Sequence, residues 1–79
     1  LITDDEPHIR RFLSYNVNQL GYQTTLASDG MECLEKLRTD SFSALLLDIR
    51  MPKADGLEVL TKVQQECPQM PVIMITTPW

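Results

Sequence analysis

The stretch ALLLD at positions 44–48 is an uninterrupted apolar run that ends on a carboxylate. A strand with one wet face alternates apolar and polar side chains, whereas a strand covered on both faces does not. The run therefore predicts a strand inside a parallel sheet that lies between layers of helices. The stretch PVIMIT at positions 71–76 is a second uninterrupted apolar run and predicts a further strand.

Two shorter strand signals and one helix precede the run. Residues 1–3 form an apolar stub, and residues 22–27 are rich in β-branched and aromatic side chains. A helix between them is expected to begin at Pro7, whose missing N–H is not needed in a first turn, and to stop at Gly21. Its apolar face should consist of Ile9, Phe12, Leu13, Val17 and Leu20.

Two further helices complete the pattern. Asp29 followed by Glu32 resembles a capping pair at the start of a second helix, and a third helix is expected between Gly56 and Pro68. Their apolar positions are Leu34, Leu37, Leu57, Leu60 and Val63. The resulting order β-α-β-α-β-α-β predicts an α/β fold with right-handed crossovers and a parallel sheet.

Composition restricts the classes of function. The chain has 79 residues, with 7 basic and 11 acidic side chains and a net charge of -4, so we expect one small domain over residues 1–79. Because Lys and Arg are not clustered in the sequence, we do not expect this chain to contact nucleic acid directly. No apolar run is long enough to span a bilayer. Cys33 and Cys67 lack metal-ligand spacing and are expected as reduced thiols of a cytoplasmic protein. Arg10 and Arg11 are expected on a solvated helix face, with contact to a partner protein as the alternative.

Acidic residues follow two of the predicted strands. Asp4 and Asp5 end the first strand, and Asp48 ends the third. Ligands of open α/β sheets bind at the carboxyl ends of the strands, so three carboxylates converge if these two strands are neighbours. Such a cluster repels itself unless a hard cation such as Mg²⁺ neutralises it, although helix caps and ordinary loop acids remain an alternative. Thr76 ends the fourth strand and could donate its hydroxyl to an anionic ligand.

Three motifs together resemble the receiver domain of two-component response regulators. They are DDE at positions 4–6, LLLDIRMPKADG at 45–56 and PVIMIT at 71–76, in this order along the whole chain. The resemblance implies a flavodoxin-like, doubly wound parallel sheet with strand order 2-1-3-4-5. It also implies a receiver truncated after the fourth strand, because the fifth strand with its Lys and the last two helices are missing.

The resemblance also assigns roles to individual residues. Asp48 would be the phospho-acceptor that takes a phosphoryl group from a sensor histidine kinase or phosphotransfer protein. Mg²⁺ would be held directly by Asp5, Asp48 and the backbone carbonyl of Arg50, and by Asp4 mainly through water. Thr76 would be the hydroxyl that turns toward the phosphoryl group when the domain switches.

Two other functions stay open on the sequence. A receiver fragment of this length could fold or self-associate, through an exposed fourth strand, without switching. A Mg²⁺-dependent phosphohydrolase is disfavoured, because that class carries a DxD pattern after its first strand and the acids here are adjacent. We therefore expect a phospho-acceptor that takes part in its own phosphorylation, and not a turnover enzyme.

Overall fold

The computed structural model describes residues 1–51 and 56–75, and these form one parallel sheet with three helices. The elements are β1 (Ile2–Thr3), α1 (Pro7–Gln19), β2 (Leu26–Ala27), α2 (Gly30–Thr39), β3 (Leu45–Asp48), α3 (Gly56–Glu66) and β4 (Val72–Ile75). The alternation of strands and helices expected from the sequence is confirmed. No helix within the described ranges is both long and apolar enough to cross a membrane.

The order of the strands determines where the functional residues meet. The sheet runs β2-β1-β3-β4, and every neighbouring pair is parallel. Ile2 of β1 is in register with Leu46 of β3, which is in register with Ile73 of β4. Strands β1 and β3 are therefore neighbours, which is the condition under which the acidic residues after them converge.

Local chemistry sets the ends of the helices as the sequence predicts. Asp29 caps α2 by accepting a hydrogen bond from the N–H of Glu32 at 2.8 Å, and the Glu32 carboxylate accepts one from the N–H of Ser28 at 2.6 Å. The first bond satisfies a backbone donor that the helix start leaves open, and the second ties the residue before the cap to the same turn. Gly21 follows α1 with a φ of 94°, a left-handed conformation that favours glycine.

Two sequence expectations need correction. Strand β2 covers only Leu26–Ala27 instead of 22–27. The preceding segment is held to α1, because the Thr24 hydroxyl bonds Ser14 Oγ at 3.0 Å. In α1, no residue is fully buried, and Phe12 is 64% exposed, so the helix uses a narrower apolar face than the spacing suggested.

The core lies between the sheet and helices α2 and α3. Leu45 and Leu47 of β3 are fully buried on one face of the sheet, whereas Leu46 on the other face is half-buried, so the expected cover is complete on one face and partial on the other. The buried cluster consists of Leu1, Ala27, Cys33, Leu34, Leu37, Leu45, Leu47, Met51, Val59 and Val63. Cys33 is buried and Cys67 is half-buried, and both are free thiols. Helix α1 packs against β1.

Candidate functional site

The neighbouring strands β1 and β3 bring three carboxylates to one place at the carboxyl end of the sheet. Asp4 and Asp5 follow β1, and Asp48 is the last residue of β3. One carboxylate oxygen from each of the three lies within 4.8 Å of the others. Asp4 and Asp48 are 1% and 2% exposed, and Asp5 is half-buried. The convergence expected from the sequence is therefore present in the fold.

Asp4 has an electrostatically unfavourable environment. Its Oδ1 accepts a hydrogen bond from the N–H of Glu6 at 2.9 Å, but its buried Oδ2 has no hydrogen-bond partner within the described part of the chain. Burial raises the pKa of Asp4, and the nearby charges of Asp48 and Asp5 raise it further, while the Glu6 N–H and the Arg10 cation oppose the rise. An unpaired buried carboxylate oxygen beside two other carboxylates fits a site for a hard cation.

Asp48 is oriented by the loop that follows it. Its Oδ1 accepts a hydrogen bond from the N–H of Arg50 at 3.0 Å. Gly56 then closes the loop against the strand, because its N–H donates to the carbonyl of Ile49 at 3.3 Å. A Cβ at this glycine would stand 2.3 Å from the Cα of Ile49, so a side chain there would displace the backbone next to Asp48.

The other predicted site residues have different outcomes. Arg50 is exposed, and its N–H contacts Asp48 as just described, while the role of its carbonyl as a ligand stays a prediction. Thr76 and the loop positions 52–55 lie outside the described residues, so the switch hydroxyl also stays a prediction.

Sequence reasoning missed one residue of the site. Arg10 was expected on a solvated face, but its Nη1 donates to the main-chain carbonyl of Asp4 at 2.7 Å. The position of Arg10 could have indicated this contact. Helix α1 begins at Pro7, so a long side chain one turn later can reach back over the loop that precedes the helix. Arg11, the next residue, is exposed as expected.

The fold and the site together define an α/β protein of the flavodoxin-like kind with an acidic site at the carboxyl ends of its central strands. The family model of the response regulator receiver domain matches residues 1–78. The chain therefore belongs to the response regulator receiver domain family.

Comparison with individual proteins agrees with this membership. The chain is 40% identical over 76 residues to the alkaline phosphatase synthesis transcriptional regulatory protein PhoP of Bacillus subtilis. The matched residues make up 96% of this chain and 32% of PhoP. The chain thus spans about one third of the length of the curated relative.

Solved structures give the same result for the fold. The response regulator TrrA of Thermotoga maritima, solved in complex with Mg(2+)-BeF, has a TM-score of 0.92 and 33% identity, covering 95% of this chain and 65% of that one. A complex of the histidine kinase ThkA with TrrA matches with a TM-score of 0.90 and 33% identity, covering 96% of this chain and 66% of the matched one.

Proposed function

We propose that this receiver domain accepts a phosphoryl group on Asp48 from a phosphohistidine of a sensor histidine kinase or phosphotransfer protein. An Asp48 oxygen attacks the phosphorus, and the bond from phosphorus to the donor imidazole nitrogen breaks. The electron pair of that bond stays on the nitrogen, which takes up a proton, and Asp48 becomes an aspartyl phosphate. The observation that supports this assignment is the position of Asp48, which is 2% exposed at the end of β3 within the carboxylate cluster.

The carboxylate cluster fits Mg²⁺. Three carboxylates supply hard oxygen ligands, and the buried Oδ2 of Asp4 lacks a hydrogen-bond partner within the described residues. Asp5, Asp48 and the backbone carbonyl of Arg50 would hold the ion directly, with Asp4 acting through water. When bound, Mg²⁺ offsets negative charge on the phosphoryl oxygens. The residues themselves orient the nucleophile, because the Arg50 N–H donates a hydrogen bond to Asp48 Oδ1.

The partner and the response follow from the same proposal. TrrA, a response regulator with the same fold, was solved in complex with the histidine kinase ThkA, which supports a kinase as the phosphoryl donor. We assign Thr76 as the hydroxyl that responds to the phosphoryl group and place the protein in the cytoplasm. The receiver undergoes its own phosphorylation and does not turn over external phosphoesters or contact nucleic acid itself.

Labelling with a small donor tests the proposal. The protein is incubated with MgCl₂ and an acyl phosphate, and its intact mass is measured. We expect one added phosphoryl group, its loss in EDTA and its loss in Asp48→Asn, because an amide is no nucleophile here. Asp40→Asn is the matched control, since Asp40 is an exposed carboxylate at the end of α2. Undiminished labelling of Asp48→Asn, or repeated turnover of a phosphoester, would contradict the proposal.

A further inference from the structure

Arg10 connects helix α1 to the acidic site through two hydrogen bonds. Its backbone N–H donates to the carbonyl of Glu6 at 3.1 Å, which is the first turn of the helix. Its Nη1 donates to the main-chain carbonyl of Asp4 at 2.7 Å, one residue beyond the end of β1. A single half-buried side chain therefore bridges the turn between strand and helix.

The Asp4 carbonyl belongs to the peptide group that joins Asp4 to Asp5. Because a peptide group is planar, fixing this oxygen also fixes the direction in which the chain continues into Asp5. The Asp4 N–H donates to the carbonyl of Ala27 at 3.2 Å and so holds the preceding peptide group, not this one. The Arg10 bond is charge-assisted, which makes it stronger than a bond between neutral groups.

We propose that Arg10 is a positioning residue of the acidic site, which holds the Asp4–Asp5 peptide plane and with it the two neighbouring carboxylates that would bind a cation. This inference rests on the proposed function, because it concerns the Mg²⁺ site assigned there. Arg10 does not touch the cation or the reacting atoms in this role. It acts through the backbone between two ligands.

Charge and geometry predict opposite effects when Arg10 is replaced. A guanidinium close to the carboxylates repels an approaching cation, so its removal strengthens Mg²⁺ binding if only charge matters. A positioning role predicts the reverse, because loss of a group that orients metal ligands typically weakens affinity about 10–100-fold. The sign of the change in Kd therefore separates the two explanations.

The experiment is a titration with MgCl₂ alone, followed by the amide resonances of Asp5 and Glu6 in two-dimensional NMR spectra. Arg10→Met and Arg10→Gln both remove the charged donor, and we expect each to raise the Kd for Mg²⁺ about tenfold. Arg10→Lys keeps the charge and one donor and should recover part of the affinity. Arg11→Met removes the same charge from the adjacent exposed position and should bind Mg²⁺ like the wild type.

A second measurement needs no metal. In EDTA, the N–H of Glu6, which donates to Asp4 Oδ1, should exchange with solvent faster in the two neutral Arg10 variants than in Arg11→Met. Unchanged or tighter Mg²⁺ binding in those variants would overturn the proposal, as would an equal loss in Arg11→Met. Unfolding of both neutral variants in EDTA would also overturn it, because Arg10 would then support the fold and not the site. A wild-type protein that fails to bind Mg²⁺ would refute the metal site itself and the role of Arg10 with it. The titration of the wild type is therefore done first, and it distinguishes this result from a failure of the Arg10 proposal alone.

Discussion

Asp4 and Asp48 hold carboxylates almost out of contact with water, at 1% and 2% exposure, and the half-buried Asp5 lies close to both. Charged groups in such positions are unfavourable without a counter-charge. Two signs of this conflict are the Asp4 Oδ2, which has no hydrogen-bond partner among residues 1–51 and 56–75, and the raised pKa of the Asp4 carboxyl, caused first by burial. At the residue scale, the site is therefore arranged for a ligand more than for the stability of the unliganded fold.

A cation that binds only the folded state should stabilise the protein. At a Mg²⁺ concentration one hundred times the Kd, the expected gain in the free energy of unfolding is about 2.7 kcal/mol, which corresponds to a rise in Tm of roughly 10 °C or more. Asp5→Asn should remove most of this rise, because it replaces a charged ligand by a neutral amide. Asp40→Asn should keep the full rise.

Thermal denaturation with MgCl₂ and with EDTA provides the measurement. A wild-type Tm that does not respond to Mg²⁺ would show that the acidic cluster is not a metal site. A full response in Asp5→Asn would remove this residue from the set of ligands.

At the scale of the elements, helices α2 and α3 are joined by an ion pair between their C-terminal ends. Arg38 Nε and Nη2 donate to the two carboxylate oxygens of Glu66, both at 2.8 Å. This two-pronged contact lowers the pKa of Glu66, first through the hydrogen bond to Arg38, below its ordinary value of 4.5. The pair is exposed, so water and salt screen it.

The lowered pKa of Glu66 fixes the direction of a pH effect. A carboxyl whose pKa is lower in the folded state contributes stability above its unfolded pKa, and this contribution is lost as the pH falls through the folded value. Glu66→Gln should therefore lower the Tm slightly at pH 7, and the difference from wild type should disappear as the pH falls below 4.5. A double-mutant cycle with Arg38→Gln, measured at both pH values, isolates the pair. A coupling that is the same at both pH values would contradict this assignment.

The sequence was sufficient to predict the order of the helices and strands and the convergence of the three carboxylates. Both depend on local patterns: the covered strand at 44–48, and acids placed directly after strands whose ends share one edge of a parallel sheet. The length of β2 and the role of Arg10 were not predictable in this way. The Thr24 hydroxyl bonds Ser14 of α1, and the Arg10 guanidinium donates to the Asp4 carbonyl after β1. Both contacts form only once α1 has packed in place, so a local pattern does not indicate them.

At the scale of the whole molecule, the solvent exposure of side chains rises across the sheet from β1 through β3 to β4. Ile2 is 1% exposed, Leu46 is half-buried and Ile73 is 56% exposed, although the three are in register on neighbouring strands. Met74, beside Ile73 in β4, is 36% exposed. Within the described residues, β4 pairs with β3 on one side, so its other edge presents backbone donors and acceptors next to apolar side chains.

A polypeptide of these 79 residues should therefore self-associate through β4 at high micromolar concentration. Ile73→Lys should shift the population toward monomer, because it places a charge on the exposed strand. Leu20→Lys alters a side chain that is 76% exposed at the end of α1 and should leave the association unchanged. Sedimentation velocity across a concentration series measures the effect, and a wild-type polypeptide that stays monomeric throughout would refute the expectation.

Asp48 is proposed as the residue that receives the phosphoryl group, and chemical trapping tests this assignment. The protein is phosphorylated with a small acyl phosphate and MgCl₂, its aspartyl phosphate is reduced with borohydride, and the resulting homoserine is located by fragment mass spectrometry. We expect homoserine at position 48 and unmodified aspartates at positions 4 and 5, with no conversion in EDTA. Homoserine at Asp4 or Asp5, or no homoserine in a folded protein that binds Mg²⁺, would contradict the assignment.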